Sequence, residues 1–297
     1  MSNFRFSGHE TFVVRSFWPK KGYDFIKSGG KFSDDDAVVK LGVGKNMVSS
    51  INFWMQALGL YDSKKGQLTK LADFLFGENG VDPYLEDVAS IWLLQYSLIS
   101  SGYATIYSLI FNHFRKEKTV FTKKQLFSFL KNKIGDEDGN LNENTIDKDI
   151  QVFLRLYNTP DYNLVHKDFE DELGSLMLDL ELLKSQVLSY GEATKKKEEW
   201  YYLTPTKRKS LPELITFFVI LDQNPDSNNI SFRRLEIEPN NPGLCFLLTR
   251  EGLYSQIKAI EDKIEEVVVT ETAGNVVFTL DANEVDKWEI LRRHYEN

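Results

Sequence analysis

The run from Asp36 to Met55 constrains this chain more than any other stretch. Ala37, Val38 and Leu41 form the apolar side of a short helix that Gly42 stops, because glycine adopts the left-handed conformation of a helix C-terminus without steric cost. A second helix is expected from Lys45 to Leu58, ended by Gly59. Met47, Val48, Ile51, Trp54, Met55 and Leu58 gather in one stripe at helical spacing. The opposite side carries Lys45, Asn46, Ser49, Phe53 and Gln56, with Ser50 and Asn52 at its flanks. A helix that merely faces water usually carries Glu and Lys for pairing along its surface. Amides and hydroxyls are instead the groups that hydrogen-bond base edges and phosphates. They suit a helix–helix contact equally well. Two helices around a glycine-bounded turn outline a helix-turn-helix, whose second helix can enter a DNA major groove.

The flanking sequence extends that outline. Residues 1–32 interleave Phe4, Phe6, Phe12, Phe17 and Trp18 with Arg5, Arg15, Lys20 and Lys21. Ser33 is the expected N-cap of the first helix, with Asp34 to Asp36 at its positive end. Leu60 to Thr69 reads as two short arms around an Asp-Ser-Lys-Lys-Gly tip, a β-hairpin. Such a hairpin makes a wing whose Lys64 and Lys65 would lie over the phosphate backbone. Leu68 to Phe76 then closes the module as a helix.

Charge supports the same division. The net charge is −8, yet residues 1–70 hold 11 Lys or Arg against 6 Asp or Glu, a local +5. An electropositive N-terminal part attached to an acidic body suits a module that meets a polyanion. With 42% hydrophobic and 13% aromatic residues the chain is no disordered protein. No apolar run is long enough to span a bilayer, and Met1 to Arg15 carries no export signal. The single cysteine, Cys245, excludes an internal disulfide framework and a Cys-based zinc cluster. A cytoplasmic protein is expected.

Further along, residues 84–115 read as buried helices broken at Ser100-Ser101-Gly102. Residues 121–157 repeat the helix–turn–helix outline: Thr122 caps one helix, the acidic loop Gly135–Asn140 follows, and a second helix starts near Asn142. Arg115, Lys116, Lys118, Lys123 and Lys124 make its entry basic. The acidic loop lacks the Glu of a calcium site, since Asp147 stands at the twelfth position from Asp136. Leu173 to Leu188 is a helix candidate, Gly191 to Glu199 a solvated loop, and Trp200 to Leu203 a strand. Leu211 to Leu221 is a buried helix opened by Pro212, and Thr249 caps another through Ile264. Val267 to Phe278 is a hairpin with a Gly-Asn turn.

Reactive constellations are sparse. No Gly-rich nucleotide motif or P-loop is present, and His9, His113, His166 and His294 are too scattered for a local metal site. Only Ser7-Gly8-His9-Glu10-Thr11 has the makings of chemistry, with His9 beside Glu10 as an acid/base pair. The alternative is a capped turn around a structural histidine.

Phe6-Ser7-Gly8-His9-Glu10-Thr11-Phe12 and Leu41-Gly42-Val43-Gly44-Lys45-Asn46-Met47-Val48, with the looser Asn241-Pro242-Gly243 and Thr272-Ala273-Gly274, resemble a bacterial family. It is a domain of unknown function, numbered four thousand and seven, and the similarity spans nearly the whole chain. Its members sit in gene clusters for DNA phosphorothioation, beside a cysteine desulfurase and a reductase-like sulfur-transfer ATPase. A similar component of such clusters is regarded as DNA-acting, with nicking proposed. The resemblance implies a DNA-handling subunit of a sulfur-modification or phage-defence system. It supplies no catalytic residues.

The expected architecture is mainly α with small β-hairpins (α+β), as several winged-helix-like modules around a helical core. These are an N-terminal winged-helix module over 1–80, a helical core with the second helix-turn-helix over 81–160, and a C-terminal α+β module over 161–297. The expected function is to hold double-stranded DNA for partner enzymes, the sulfur-transfer or defence proteins of the same cluster. Lys45, Asn46, Ser49, Asn52 and Gln56 would face the groove, and Arg15, Lys64 and Lys65 the phosphates. No cofactor, metal or membrane enters that reading. The alternatives are a DNA-nicking subunit using His9, Glu10 and magnesium, and a scaffold that binds only protein.

Overall fold

Several helix boundaries in this protein fall where a short polar side chain or a glycine can satisfy free backbone groups. The structure, a computed structural model, describes residues 4–135, 142–158, 174–190, 196–280 and 285–296. Helix α1 (Trp18–Lys27) opens with Pro19, and α2 (Ala37–Leu41) ends on Gly42 in the left-handed region at φ 61°. The cap of α2 is Asp36 rather than Ser33, because residues 33–36 are taken up in turns. Helix α3 (Lys45–Ala57) follows, then the antiparallel pair β1 (Tyr61–Asp62) and β2 (Gln67–Leu68). Helix α4 (Lys70–Phe76) is capped by Thr69, whose hydroxyl accepts from the Ala72 amide at 3.3 Å.

The helices of this region close on Phe25, Ala37, Leu41 and Val48, with Ile26, Phe32 and Val43 at the margin. Burying a Leu or Val of this kind stabilises the fold by about 2 kcal/mol. The Tyr23 hydroxyl ties α1 to α4 by donating to Asp73 Oδ1 at 2.8 Å. Burial, with Asp73 beside it, pushes the phenol up to about 12.

Helix α5 (Val88–Ser100) is apolar on nearly all sides, as a core helix must be. After Gly102 (φ 62°) comes α6 (Thr105–Leu109), which runs through a π-helical turn, Ile110–Phe114, into α7 (Arg115–Glu117). Strand β3 (Val120–Thr122) leads into α8 (Lys123–Gly135) through a reciprocal cap. There the Thr122 amide donates to Gln125 Oε1 at 3.0 Å and the Gln125 amide to Thr122 Oγ1 at 3.4 Å. Helix α9 (Glu143–Tyr157) is followed by β4 (Lys184–Tyr190) and β5 (Lys196–Tyr202), giving an antiparallel sheet ordered β3-β5-β4.

Two expectations are corrected here. Residues 184–190 form a strand and not the end of a helix, and β5 begins at Lys196, inside the expected loop. Lys, Ser, Gln and Glu dominate both arms, so backbone pairing rather than a buried apolar face specifies them. Residues 136–140 of the expected acidic loop, Leu173 at the start of that helix, and residues 191–195 lie outside the described residues.

The remaining elements are α10 (Glu213–Gln223), β6 (Asn229–Ser231), α11 (Phe232–Ile237), α12 (Pro242–Cys245) and α13 (Arg250–Lys263). They lead to β7 (Val267–Thr272), β8 (Asn275–Leu280) and α14 (Lys287–Tyr295). Thr249 caps α13 as expected, accepting from the Gly252 amide at 3.0 Å. The sheet order is β6-β8-β7, again strand, two main helices and a hairpin whose second arm is central. The hairpin turns on Ala273-Gly274, both at positive φ, one residue earlier than the Gly-Asn expectation.

The architecture is therefore α+β, helical with small antiparallel sheets. Contacts group the chain into two units, one of residues 1–86 and 97–204, the other of 87–96 and 205–297. These do not coincide with cuts at 80 and 160. Among the described residues no helix is long and apolar enough to cross a membrane.

Candidate nucleic-acid interface

Helix α3 presents its N-terminal half to solvent and buries its C-terminal half. Lys45, Asn46 and Ser49 are exposed, and Asn52 is half-buried. Gln56, expected on the open face, is only 9% exposed, with Nε2 donating to the Asn52 Oδ1 at 2.9 Å. Phe53, placed on the same face, is also buried. The reason is a third contact that a two-sided helix cannot anticipate: the segment before α1 lies over this side of α3. At the hairpin tip Lys64 and Lys65 are exposed. Their amides donate to Asp62 Oδ1 at 3.0 and 3.2 Å, and Gly66 takes φ 67°. The Lys65 amide, chief among these contacts, holds the Asp62 carboxyl below its usual range. Arg15 is half-buried, with its guanidinium 5.4 Å from the centre of the Trp18 ring.

The covering segment is strained. Ser7 (φ 69°), Gly8 (φ 101°), Glu10 (φ 48°) and Thr11 (φ 67°) all lie in the left-handed region. Such conformations cost about 1–3 kcal/mol at a non-glycine residue and persist only where surrounding contacts impose them. Those contacts are present. Asp149, on α9 and 2% exposed, accepts the Ser7 amide at 3.0 Å and pairs with His9 Nε2 at 3.0 Å. His9 Nδ1 accepts the Thr11 amide at 3.1 Å, so the imidazole proton belongs on Nε2, facing the carboxylate. The His9 ring meets Phe53 edge-on at 5.4 Å. Arg155 donates to the Thr11 carbonyl, and Trp54 Nε1 to the Phe12 carbonyl at 3.1 Å. His9, 4% exposed with both nitrogens engaged, holds the loop in place, while Glu10 stays exposed.

The two features singled out in the sequence thus meet. A cleft of about 440 Å³ has Ser49, Asn52 and Gln56 on its α3 side and Ser7 and Glu10 on the loop side. Arg5 and Tyr103 complete it, the guanidinium stacked 4.1 Å from the centre of the Tyr103 ring. Burial raises the Tyr103 phenol, with Arg5 opposing. A guanidinium, amides and hydroxyls around one cleft can donate several hydrogen bonds to a phosphate or a base edge. Among the described residues no three His, Cys, Asp or Glu side chains are placed to hold a metal ion.

Sequence reasoning missed Arg5, Tyr103, Asp149 and Arg155. Asp149 had a usable signal: it is a carboxylate on the apolar side of α9, between Ile146, Ile150 and Phe153. A charge is buried there only when something pairs with it.

A family model described as a protein of unknown function (DUF4007) matches residues 6–295. Two solved structures are similar over 98% of this chain and 88% of their own. One is a magnesium ion-bound SspB, with a TM-score of 0.82 and 27% identity, and the other is SspB, with 0.81 and 28%. No curated protein matches the chain.

Proposed function

The chain belongs to the DUF4007 family, and from that premise we propose that it is the DNA-binding subunit of a DNA sulfur-modification (phosphorothioation) or phage-defence system. Its task is to hold duplex DNA for sulfur-transfer or defence proteins of the same gene cluster. The phosphorothioation context comes from the family resemblance and from the likeness to SspB. The observation that carries the DNA reading is local: an exposed polar face on α3, Lys45, Asn46 and Ser49, in one region with a lysine-tipped hairpin. In this reading α2, α3 and the hairpin act as a winged helix. The exposed half of α3 enters the major groove while Lys64 and Lys65 neutralise phosphates. Asn52 and Gln56 act in the cleft with Arg5 rather than at base edges.

The test is duplex affinity over a salt series. Lys64→Ala with Lys65→Ala should weaken binding to all sequences and flatten the salt slope by about two units. An unchanged slope would remove the hairpin from the interface.

A DNA-nicking role is the second reading, favoured by the magnesium ion bound to one of the SspB structures. Among the described residues no three His, Cys, Asp or Glu side chains are placed to hold such an ion. Conversion of supercoiled plasmid to nicked circles, with and without magnesium, separates the readings. Nicking abolished in Glu10→Gln with binding retained would favour the enzyme.

A further inference from the structure

Lys118, Lys124 and Lys133 ring a cleft of about 480 Å³ floored by Phe114 and Phe129. Gln125, Ser128 and Asn132 form one stripe of α8 along it, with Lys124 and Lys133 on either side and Lys118 arriving from the end of α7. All three lysines are exposed, and none has an ion-pair partner among the described residues. Their neighbours on the same helix are paired: Lys123 meets Asp147 at 2.7 Å and Lys131 meets Glu143 at 2.5 Å. Glu117 is the carboxylate on the rim, so the lining stays net positive.

The local backbone marks the same place. The π-helical turn Ile110–Phe114 delivers Phe114 to the floor, and π-helical turns are rare and concentrate at functional sites. Next to Phe114, His113 is held below its usual value, first by partial burial and then by the positive charges of Lys116 and Lys133. Glu117 opposes those two lysines, so the charge contribution at His113 is positive but secondary to burial.

We propose that this cleft binds a phosphate group, with Lys118, Lys124 and Lys133 as its cations and the Asn132 amide as a hydrogen-bond donor. Three lysines lining a cavity of small-molecule size, the Lys133 ammonium 5.9 Å from the centre of the Phe129 ring, suit a multiply charged oxyanion. The phosphate belongs either to a nucleic-acid backbone or to a free nucleotide. The site does not depend on α3 entering a groove.

The test compares three full-length proteins: the native chain, Lys118→Gln/Lys124→Gln/Lys133→Gln, and a control with the same charge removed elsewhere, Lys31→Gln/Lys148→Gln/Lys184→Gln. Each is titrated separately with inorganic pyrophosphate and with a short DNA duplex, after thermal unfolding has shown that it is folded. The cleft variant should lose roughly tenfold in affinity for at least one probe, against about twofold or less in the control. A loss for the duplex alone supports a nucleic-acid backbone, and a loss for pyrophosphate alone supports a nucleotide. Equal losses in the cleft variant and the control overturn the site. Bound pyrophosphate should also raise the His113 titration midpoint by NMR, and binding that leaves it unmoved overturns the site as well. Lys64→Ala with Lys65→Ala leaves pyrophosphate affinity unchanged, which separates failure of this site from failure of the α3 interface.

Discussion

Helix α3 with its hairpin and helix α13 with its hairpin share an element order, yet they treat their polar groups differently. On α13 the charges are spent within the same unit. Arg250 pairs with Glu236 at 3.0 Å, and Glu251 with Lys207, Lys258 with Glu261 and Lys263 with Glu213. Glu261 also accepts the Val269 amide at 2.7 Å, pinning the helix to its own hairpin. On α3 the exposed side is nearly uncharged, and Lys45 pairs with none of the described residues. A shared topology does not imply a shared use. A face whose charges are already matched has little to offer a polyanion, whereas one of exposed amide and hydroxyl groups beside two exposed lysines does.

Asp149→Ala tests the contrast most severely, because it removes what shapes the region of α3. The Ser7 amide and His9 Nε2 would lose their acceptor in a buried site. A loss of about 3 kcal/mol is expected in urea unfolding, with reduced duplex affinity. Stability within error of the native chain would mean that the loop holds itself.

Gly8→Ala should cost about 2 kcal/mol by the same measurement. A Cβ there would sit 2.8 Å from Phe53 Cδ2 on a backbone already at φ 101°.

Replacing Lys45, Asn46 and Ser49 together by Ala should lower duplex affinity roughly tenfold, while Glu251, Ser255 and Lys258 to Ala on α13 should change it by less than about twofold. The reverse ranking would exchange the roles of the two helices.

The smallest effect belongs to the charge network of α13. The Glu261 carboxyl is held below its usual range by the Lys258 ammonium first and the Val269 amide next. A depressed folded-state value means that its stabilisation is complete above the ordinary glutamate value of about 4.5 and fades as pH falls through the folded one. Glu261→Gln should therefore destabilise by about 1 kcal/mol or less at pH 7, and the difference should vanish in strong acid. A difference that grows toward low pH would show that the pairing is not what Glu261 contributes.

Local signals were read well from the sequence, because caps and glycines act within a few residues. Gly42, Thr122 and Thr249 each end or begin a helix as their chemistry demands. The strand at 184–190 and the start of the next at 196–199 leave no signal, because exposed Lys, Gln and Glu arms carry no apolar alternation; only the Trp200–Tyr202 end of the second is legible. Gln56 and Phe53 were misplaced because a helical wheel has one inside and one outside, while α3 is covered from a further direction. The His9–Asp149 pair lies 140 residues apart in sequence and leaves no local trace beyond a carboxylate among Ile and Phe. The cleft was half legible for the same reason. Its α3 side and its loop were each singled out, but their meeting depends on a helix far down the chain.

That long tether limits how the protein can be dissected. A fragment ending near residue 80 would keep α3 and the hairpin yet leave Asp149 and Arg155 behind. Residues 7–11, no longer clamped, would relax out of their left-handed turns, and the wall they build beside Asn52 and Gln56 would dissolve. Weak DNA retention by such a piece would measure the loss of that clamp rather than the worth of the helix.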